Sequence, residues 1–260
     1  MKFKILAALT AFAAFILTVN LVYAAKTTIA SGHPEYPPVM WQEGDNIVGV
    51  GPEIVKMAFS ELAITVDSKY KGSWTQAQQA IKTGDIDIIV GIYMTPQNKT
   101  YMEYSIPYMK DPVVIFVAKG RTFPYKKWDD LIGKKGTITI GDSFGKEFDK
   151  FIANKLTISR FLRVEDNFNK ILSGEADYFI SALYSGLIGA EKLGISNNVE
   201  YLPTYATAEM FHIAISKDSK FIRYFPQINE KIEKLVKDGT VDNLIDEKMK
   251  YYLDGIKGKR

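Results

Sequence analysis

The sequence predicts an α/β protein built as two α/β lobes, each a mostly parallel sheet covered by helices, joined by a hinge that the chain crosses twice. Three observations predict it. Strand and helix signals alternate from residue 27 onward, which is the pattern of parallel strands with helical crossovers. The segment Ile81-Lys82-Thr83-Gly84-Asp85-Ile86-Asp87, followed by Ile88-Ile89-Val90, is echoed 90 positions later by Ile171-Leu172-Ser173-Gly174-Glu175-Ala176-Asp177, followed by Tyr178-Phe179-Ile180. A repeated helix, glycine stop, acid-x-Asp turn and apolar strand implies two lobes of one design. Two extended runs, Pro112 to Ala118 and Phe211 to Ile215, stand where the chain can pass to a second lobe and return. The expected division is a leader over 1–24, a first lobe from 25–115 plus 212–260, and a second lobe over 116–211.

The elements follow in order. Lys2 and Lys4 precede an apolar run from Ile5 to Val22, and Val22-Tyr23-Ala24 offers small residues at the positions a signal peptidase reads. That is the layout of a secretory signal peptide cleaved after Ala24. Thr27 to Ala30 reads as a short strand that runs into the loop Ser31 to Pro38. Gly51-Pro52-Glu53 starts a helix, with proline in the first turn where a missing N–H costs nothing, and Ile54, Met57, Ala58 and Leu62 give it an apolar face. Ser73-Trp74-Thr75-Gln76 is a capping box for the next helix, which Gly84 ends. Asp87 to Val90 is an apolar strand, buried on both faces if its sheet is parallel. Thr137 to Ile140 reads as a strand, Lys146 to Ile152 as a helix, and Phe221 to Leu253 as amphipathic helices with Ile228, Ile232 and Leu235 on one face.

Composition narrows the function. The formal net charge is +3, and removing the leader's two lysines, which takes no acid with them, leaves +1. No strong field remains to favour nucleic acid or an anionic membrane. The lysines are interspersed with acids, as at Lys231-Ile232-Glu233-Lys234, which is a solvated helix face. The absence of cysteine excludes disulfides, thiolate metal sites, a cysteine nucleophile and a lipid-modified N-terminal cysteine. Two isolated histidines and no calcium-loop pattern give metal chemistry little support, and no G-x-G-x-x-G or P-loop offers a phosphate cradle. No cofactor is expected. Fifteen tyrosines is a high count; many must sit where one edge is wet, as in a ligand cleft.

An ordered set of markers spans residues 27 to 253. It comprises Tyr36-Pro37-Pro38, Gly49-Val50-Gly51 with Glu53, Trp74, Gly84 with Asp87, and Thr95-Pro96-Gln97-Asn98. It continues with Tyr104-Ser105, Pro107-Tyr108, Leu131-Ile132-Gly133-Lys134-Lys135 and Asp238-Gly239-Thr240. In this order the chain resembles the type II periplasmic solute-binding proteins, in the amino-acid-binding branch that serves ABC transporters. The resemblance implies a periplasmic, monomeric protein with a small-molecule ligand, whose lobes close on a solute and whose closed form docks on an ABC transporter permease in the inner membrane.

It also implies where the ligand sits: at carboxyl ends of strands, near helix N-termini. On the first lobe these positions are His33, Tyr36, Trp74, Gly91, Tyr93, Thr95 and Asn98. On the second they are Asp142, Ser143, Phe144, Ser181 and Tyr184. Two positions depart from the family. Its amino-acid binders carry arginine where Asn98 stands, to grip an α-carboxylate in a two-pronged bond, and aspartate where Ala182 stands, to hold the α-amino group. Both charged halves of that clamp are missing. Aromatic faces suit a flat apolar solute or an organic cation, so the expected ligand is an amino acid derivative, an amine or a related polar metabolite. Asp142 is a candidate counter-ion, and His33 and His212 are candidate rim residues.

Three other readings stand beside this one. Gly141-Asp142-Ser143-Phe144-Gly145 matches the G-x-S-x-G turn of serine hydrolases, with Asp177 and His212 following in hydrolase order. A few members of the resembled family are dehydratases of the cyclohexadienyl type, and Glu35, Asp142 or Glu209 could supply their acid or base. A closed binding protein can also dock on a receptor as a sensor.

Overall fold

The computed structural model of the chain describes residues 26–258; the leader expected over 1–24 lies outside the described residues. In chain order the strands are β1 (Lys26–Ser31), β2 (Glu35–Tyr36), β3 (Met40–Glu43), β4 (Asn46–Val48), β5 (Ile64–Ser68), β6 (Ile88–Ile92), β7 (Met102–Ala118), β8 (Lys135–Thr139), β9 (Thr157–Phe161), β10 (Tyr178–Ala182), β11 (Val199–Tyr201) and β12 (Thr207–Ser216). The helices are α1 (Val50–Ser60), α2 (Trp74–Thr83), α3 (Lys146–Lys155), α4 (Val164–Ser173), α5 (Leu183–Leu193), α6 (Phe225–Lys237) and α7 (Thr240–Lys257).

Nine strands form one continuous sheet in the order β5-β1-β6-β12-β7-β10-β8-β9, with β11 also paired to β7; β2, β3 and β4 form a small separate sheet. The flanks are parallel, as expected: β5-β1-β6 on one side, β10-β8-β9 on the other. The centre is antiparallel, because β7 carries the chain out of the first flank and β12 brings it back. The run expected from Pro112 onward is thus the second half of a 17-residue strand.

Apolar burial divides along the same line. Two buried clusters, one around Val55, Phe59, Ile88, Val90, Phe211 and Ile232, the other around Ala77, Ile81, Ile89 and Met102, draw their buried residues from before 110 and after 210. Two more, around Ile115, Phe148, Tyr178 and Ile180 and around Phe116, Phe168 and Phe179, draw theirs from 113–206. Each pair sandwiches one flank of the sheet, since residues alternate faces along a strand: Val113 and Ile115 join one cluster, Val114 and Phe116 the other. Along β7 the core therefore changes between Met109 and Val113, and along β12 between Ala206 just before it and Phe211.

The sequence echo is a structural repeat. Helix α2 ends at Gly84 (φ 81°, ψ 9°) and α4 at Gly174 (φ 81°, ψ 10°), left-handed positions that favour glycine. The Asp87 N–H donates to the Ile29 carbonyl at 2.8 Å, and the Asp177 N–H to the Lys135 carbonyl at 2.7 Å. Each carboxylate then accepts from its own strand partner, Ile29 N at 3.3 Å and Lys135 N at 2.7 Å. Asp87 accepts two further bonds, from Thr28 Oγ1 at 2.9 Å and Ser219 Oγ at 2.6 Å. The capping box also forms: Gln76 N donates to Ser73 Oγ, and Ser73 N to Gln76 Oε1.

The two aspartates are expected to differ in weight. D87A loses three side-chain-accepted bonds and should cost about 3 kcal/mol, whereas D177A loses one and should cost about 1 kcal/mol. Urea unfolding of the two variants checks the order.

Candidate functional site

The carboxyl ends of β1 and β6, the first turn of α2 and the central strand β12 meet around a cavity of about 230 Å³. His33, Tyr36, Met40, Trp74, Gly91, Tyr93, Thr95, Asn98 and Phe211 contribute to its wall. The structure thus brings together all seven first-lobe residues expected from sequence. The small sheet swings Tyr36 inward: Tyr36 pairs with Met40 across a short antiparallel turn. Gly91 holds the floor, since a Cβ there would stand 2.8 Å from Tyr108 Oη and 2.9 Å from Met40 Cε.

The wall is aromatic. His33 lies 5.7 Å from Trp74 and 6.0 Å from Tyr36, centroid to centroid. Phe211 lies 5.5 Å from Tyr36, edge to face, and 4.7 Å from Tyr93. Such contacts stiffen the wall and leave ring faces available to a guest. The imidazole of His33 accepts at Nδ1 from the Glu35 N–H at 3.0 Å. Burial holds its pKa below the ordinary 6.5, against an opposing pull from Glu35, so at neutral pH it is the uncharged Nε2–H tautomer.

Behind the tyrosines lies a residue that the sequence reading did not single out. Asp111, on β7, is 4 % exposed. Its Oδ2 accepts from Tyr36 Oη at 2.5 Å and from Tyr93 Oη, and the two hydroxyls are themselves 3.2 Å apart. Its Oδ1 is buried without a partner. Burial raises its pKa, and the two donated bonds pull it back. Both tyrosine hydroxyls are in turn pushed well up, by burial first and then by the Asp111 charge. The sequence signal for Asp111 is its placement between Lys110 and Pro112, directly before the apolar run Val113 to Ala118. From sequence Phe211 marks only a strand, and its place in the cavity wall follows from the fold.

The second-lobe residues are distributed differently. Asp142 stands in the exposed loop after β8; burial of its carboxyl raises its pKa, and its charge reaches Tyr36. Tyr184 packs against a core of each lobe, and its hydroxyl is pushed up to about 12 by burial and then by Asp111, Tyr205, Asp242 and Asp246. None of the five second-lobe residues contributes to the wall of the cavity, and the other three are engaged within their own lobe. Phe144 is 4 % exposed within the second-lobe core beside Phe148, because its ring completes the cluster under α3. Ser143 Oγ donates to Asp149 Oδ2 at 2.5 Å, and Phe144 N donates to Asp149 Oδ1 at 2.8 Å, so this loop is folded onto its own helix. Ser181 is buried and donates to the Ala182 carbonyl at 3.2 Å.

The hydrolase constellation is not assembled. Ser143 is held by Asp149, Asp177 by the Lys135 N–H, and His212 is buried with Nδ1 2.7 Å from the Ser105 carbonyl oxygen. His212 is therefore a core residue and not part of a rim. Asn98 is likewise engaged locally: its Oδ1 accepts from Tyr101 Oη at 2.9 Å and its N–H donates to Thr95 Oγ1 at 3.2 Å. A larger hollow of about 1150 Å³ opens on the far side of Tyr36, between residues 34–44, α5 and α7. The ion pair of Lys257 with Glu191, at 3.3 Å, joins α7 to α5.

A sheet flanked by two sets of cores, crossed by two strands, with an aromatic cavity at the crossing, defines a bilobal solute-binding protein. The chain matches the bacterial extracellular solute-binding proteins, family 3, over residues 29–250, and it belongs to that family. It is 27% identical over 180 residues to a probable histidine-binding protein from Neisseria gonorrhoeae, a match covering 66% of this chain and 63% of that one. Among solved structures it is similar to the second substrate-binding domain of GlnP from Lactococcus lactis in an open conformation, with TM-score 0.69 and 16% identity over 85% of this chain and 94% of that one. It is also similar to an amino acid ABC transporter substrate-binding protein from Streptococcus pneumoniae bound to L-arginine, with TM-score 0.58 and 20% identity over 86% of this chain and 94% of that one. At these identities the two structures share the fold.

The His33 environment makes a signed prediction. Its imidazole should titrate below 6.5 in the folded protein, so stability falls as pH drops below 6.5, where the unfolded chain takes up the proton first. E35Q removes the one influence that raises the value and should lower it further; 15N-resolved NMR of the imidazole reads both.

Proposed function

We propose that this chain captures a small organic solute, an amino acid derivative, amine or related polar metabolite, and delivers it to an ABC importer. The observation that carries the reading is the aromatic cavity of His33, Tyr36, Trp74, Tyr93 and Phe211 at the strand crossing. A guest there touches first-lobe loops, while Asp142 and Tyr184 approach from the second lobe. Closure gains contacts from both sides only when solute is present, so ligand shifts the open–closed equilibrium. The chain works in the periplasm as a monomer, and the closed form docks on the inner-membrane permease. The lobes join at 110–112 and 207–210, a few residues before the 115/116 division expected from sequence and close to its return at 211/212.

The role is binding and not catalysis: Ser143, Asp177 and His212 each serve a separate local structure. The similarity to a probable histidine-binding protein makes imidazole-bearing solutes sensible first probes. Asn98 and Ala182 argue against a clamp on an ordinary α-amino acid, because neither offers a charge.

A thermal-shift screen of amines, amino acids and their derivatives tests the reading, since a ligand that binds the native state raises Tm. For any solute that does so, W74A should weaken binding by roughly five- to thirtyfold, the loss of about 1–2 kcal/mol expected for one aromatic face. S143A should leave binding unchanged and abolish no hydrolysis. If no small organic solute raises Tm, or if an active-site serine probe labels Ser143, the proposal fails.

A further inference from the structure

The crossing strands hold an unbalanced charge. Asp111 and Glu209 are direct partners in the β7–β12 register, so both side chains leave the same face of the sheet. The next pair, Lys110 and Met210, leaves the opposite face. Glu209 reaches over the second-lobe loop, its Oε1 lying 3.4 Å from where a Cβ on Gly145 would stand. Asp142 belongs to that same loop, and its charge reaches Tyr36. Three carboxylates therefore surround the crossing. Among the described residues no ion pair includes any of them. The one basic side chain in the cavity wall, His33, is held neutral.

Like charges directly opposite one another in a sheet destabilise it, and a buried carboxylate without a counter-ion is costlier still. The two tyrosine donors satisfy only Oδ2 of Asp111, leaving Oδ1 buried without a partner. The same hydroxyls belong to rings that line the cavity. A positive group seated there meets π faces and two oxygens polarised by the carboxylate behind them. A carboxylate on the ligand would face the three acids with no arginine to receive it.

We infer that the solute is an organic cation without a carboxylate, and that Asp111 is the positioning residue that supplies its counter-charge through the Tyr36 and Tyr93 hydroxyls. The inference rests on the solute-binding reading above and narrows it to one chemical class. Binding of such a cation offsets part of the negative charge at the point where the lobes join.

Calorimetry with matched probes on the full chain tests it: histamine against L-histidine, agmatine against L-arginine, and tyramine against both L-tyrosine and the neutral 4-ethylphenol. The expected result is that at least one amine binds tenfold or more tighter than its parent amino acid, and that tyramine, where it binds, does so tenfold or more tighter than the uncharged 4-ethylphenol. D111N should then weaken that amine tenfold or more, D111E should restore part of the loss, and neither should change the weak binding of the neutral probe. A purely structural role for Asp111 would lower both alike. Apo D111N should melt no lower than wild type, because it removes an uncompensated charge. The wild-type comparison decides the matter whether or not D111N folds. Amino acids binding as tightly as their amines, or D111N binding the amine normally, would overturn the inference while leaving solute capture in place. No binding by any probe, charged or neutral, would overturn both.

Discussion

The antiparallel pairing of β7 with β12 is the constraint on which the remaining architecture hangs. It is the one place where the two parallel flanks are hydrogen-bonded into a single sheet. Its register runs unbroken from Thr207 opposite Val113 to Phe211 opposite Met109, then shifts around His212. Along those few residues the apolar core changes sides. Pro107 and Pro112 each withhold an N–H from the ladder here, and the irregularity at His212 kinks it. A strand pair that bridges two cores and carries these weak points can bend without dismantling either core.

The same strands build the back of the cavity. Asp111 from β7 and Phe211 from β12 stand where a bend would be felt, and both touch Tyr36 and Tyr93. The cavity wall is therefore mechanically joined to the crossing. Tyr184 touches a core on each side, so relative motion of the two halves must repack it. Structure and recognition share residues, which is how a small guest can bias a large movement.

Much of this was legible in the sequence. The Gly84/Asp87 and Gly174/Asp177 echo has the same left-handed cap dihedrals in both copies, because the same local problem, ending a helix and stitching a strand to its neighbour, is solved by the same two residues. The Ser73–Gln76 box is local chemistry and reads correctly; α1 has Pro52 in its first turn as expected, but it begins at Val50 and ends at Ser60, short of Leu62. The first-lobe cavity residues all converge, since each lies at a strand end or helix start whose position follows from the topology. The second-lobe loop did not read as well. Whether Phe144 or Ser143 turns toward a cleft or onto its own helix depends on Asp149 and on space beneath α3, which no local pattern encodes. Asp111 was hidden for the opposite reason. Within an apolar strand an acid reads as a turn or an edge, and only the pairing of β7 with two loops distant in sequence makes it the buried centre of a tyrosine pair.

Solute capture requires movement about the crossing strands. The chain has no cysteine, so the variant carrying Q97C and E147C accepts one spin label on the rim of each lobe at exposed positions. Double electron–electron resonance with and without a solute that binds by calorimetry measures the distance between them. A shorter, narrower distribution on binding is the predicted result; an unchanged distribution with the ligand bound would contradict the hinge.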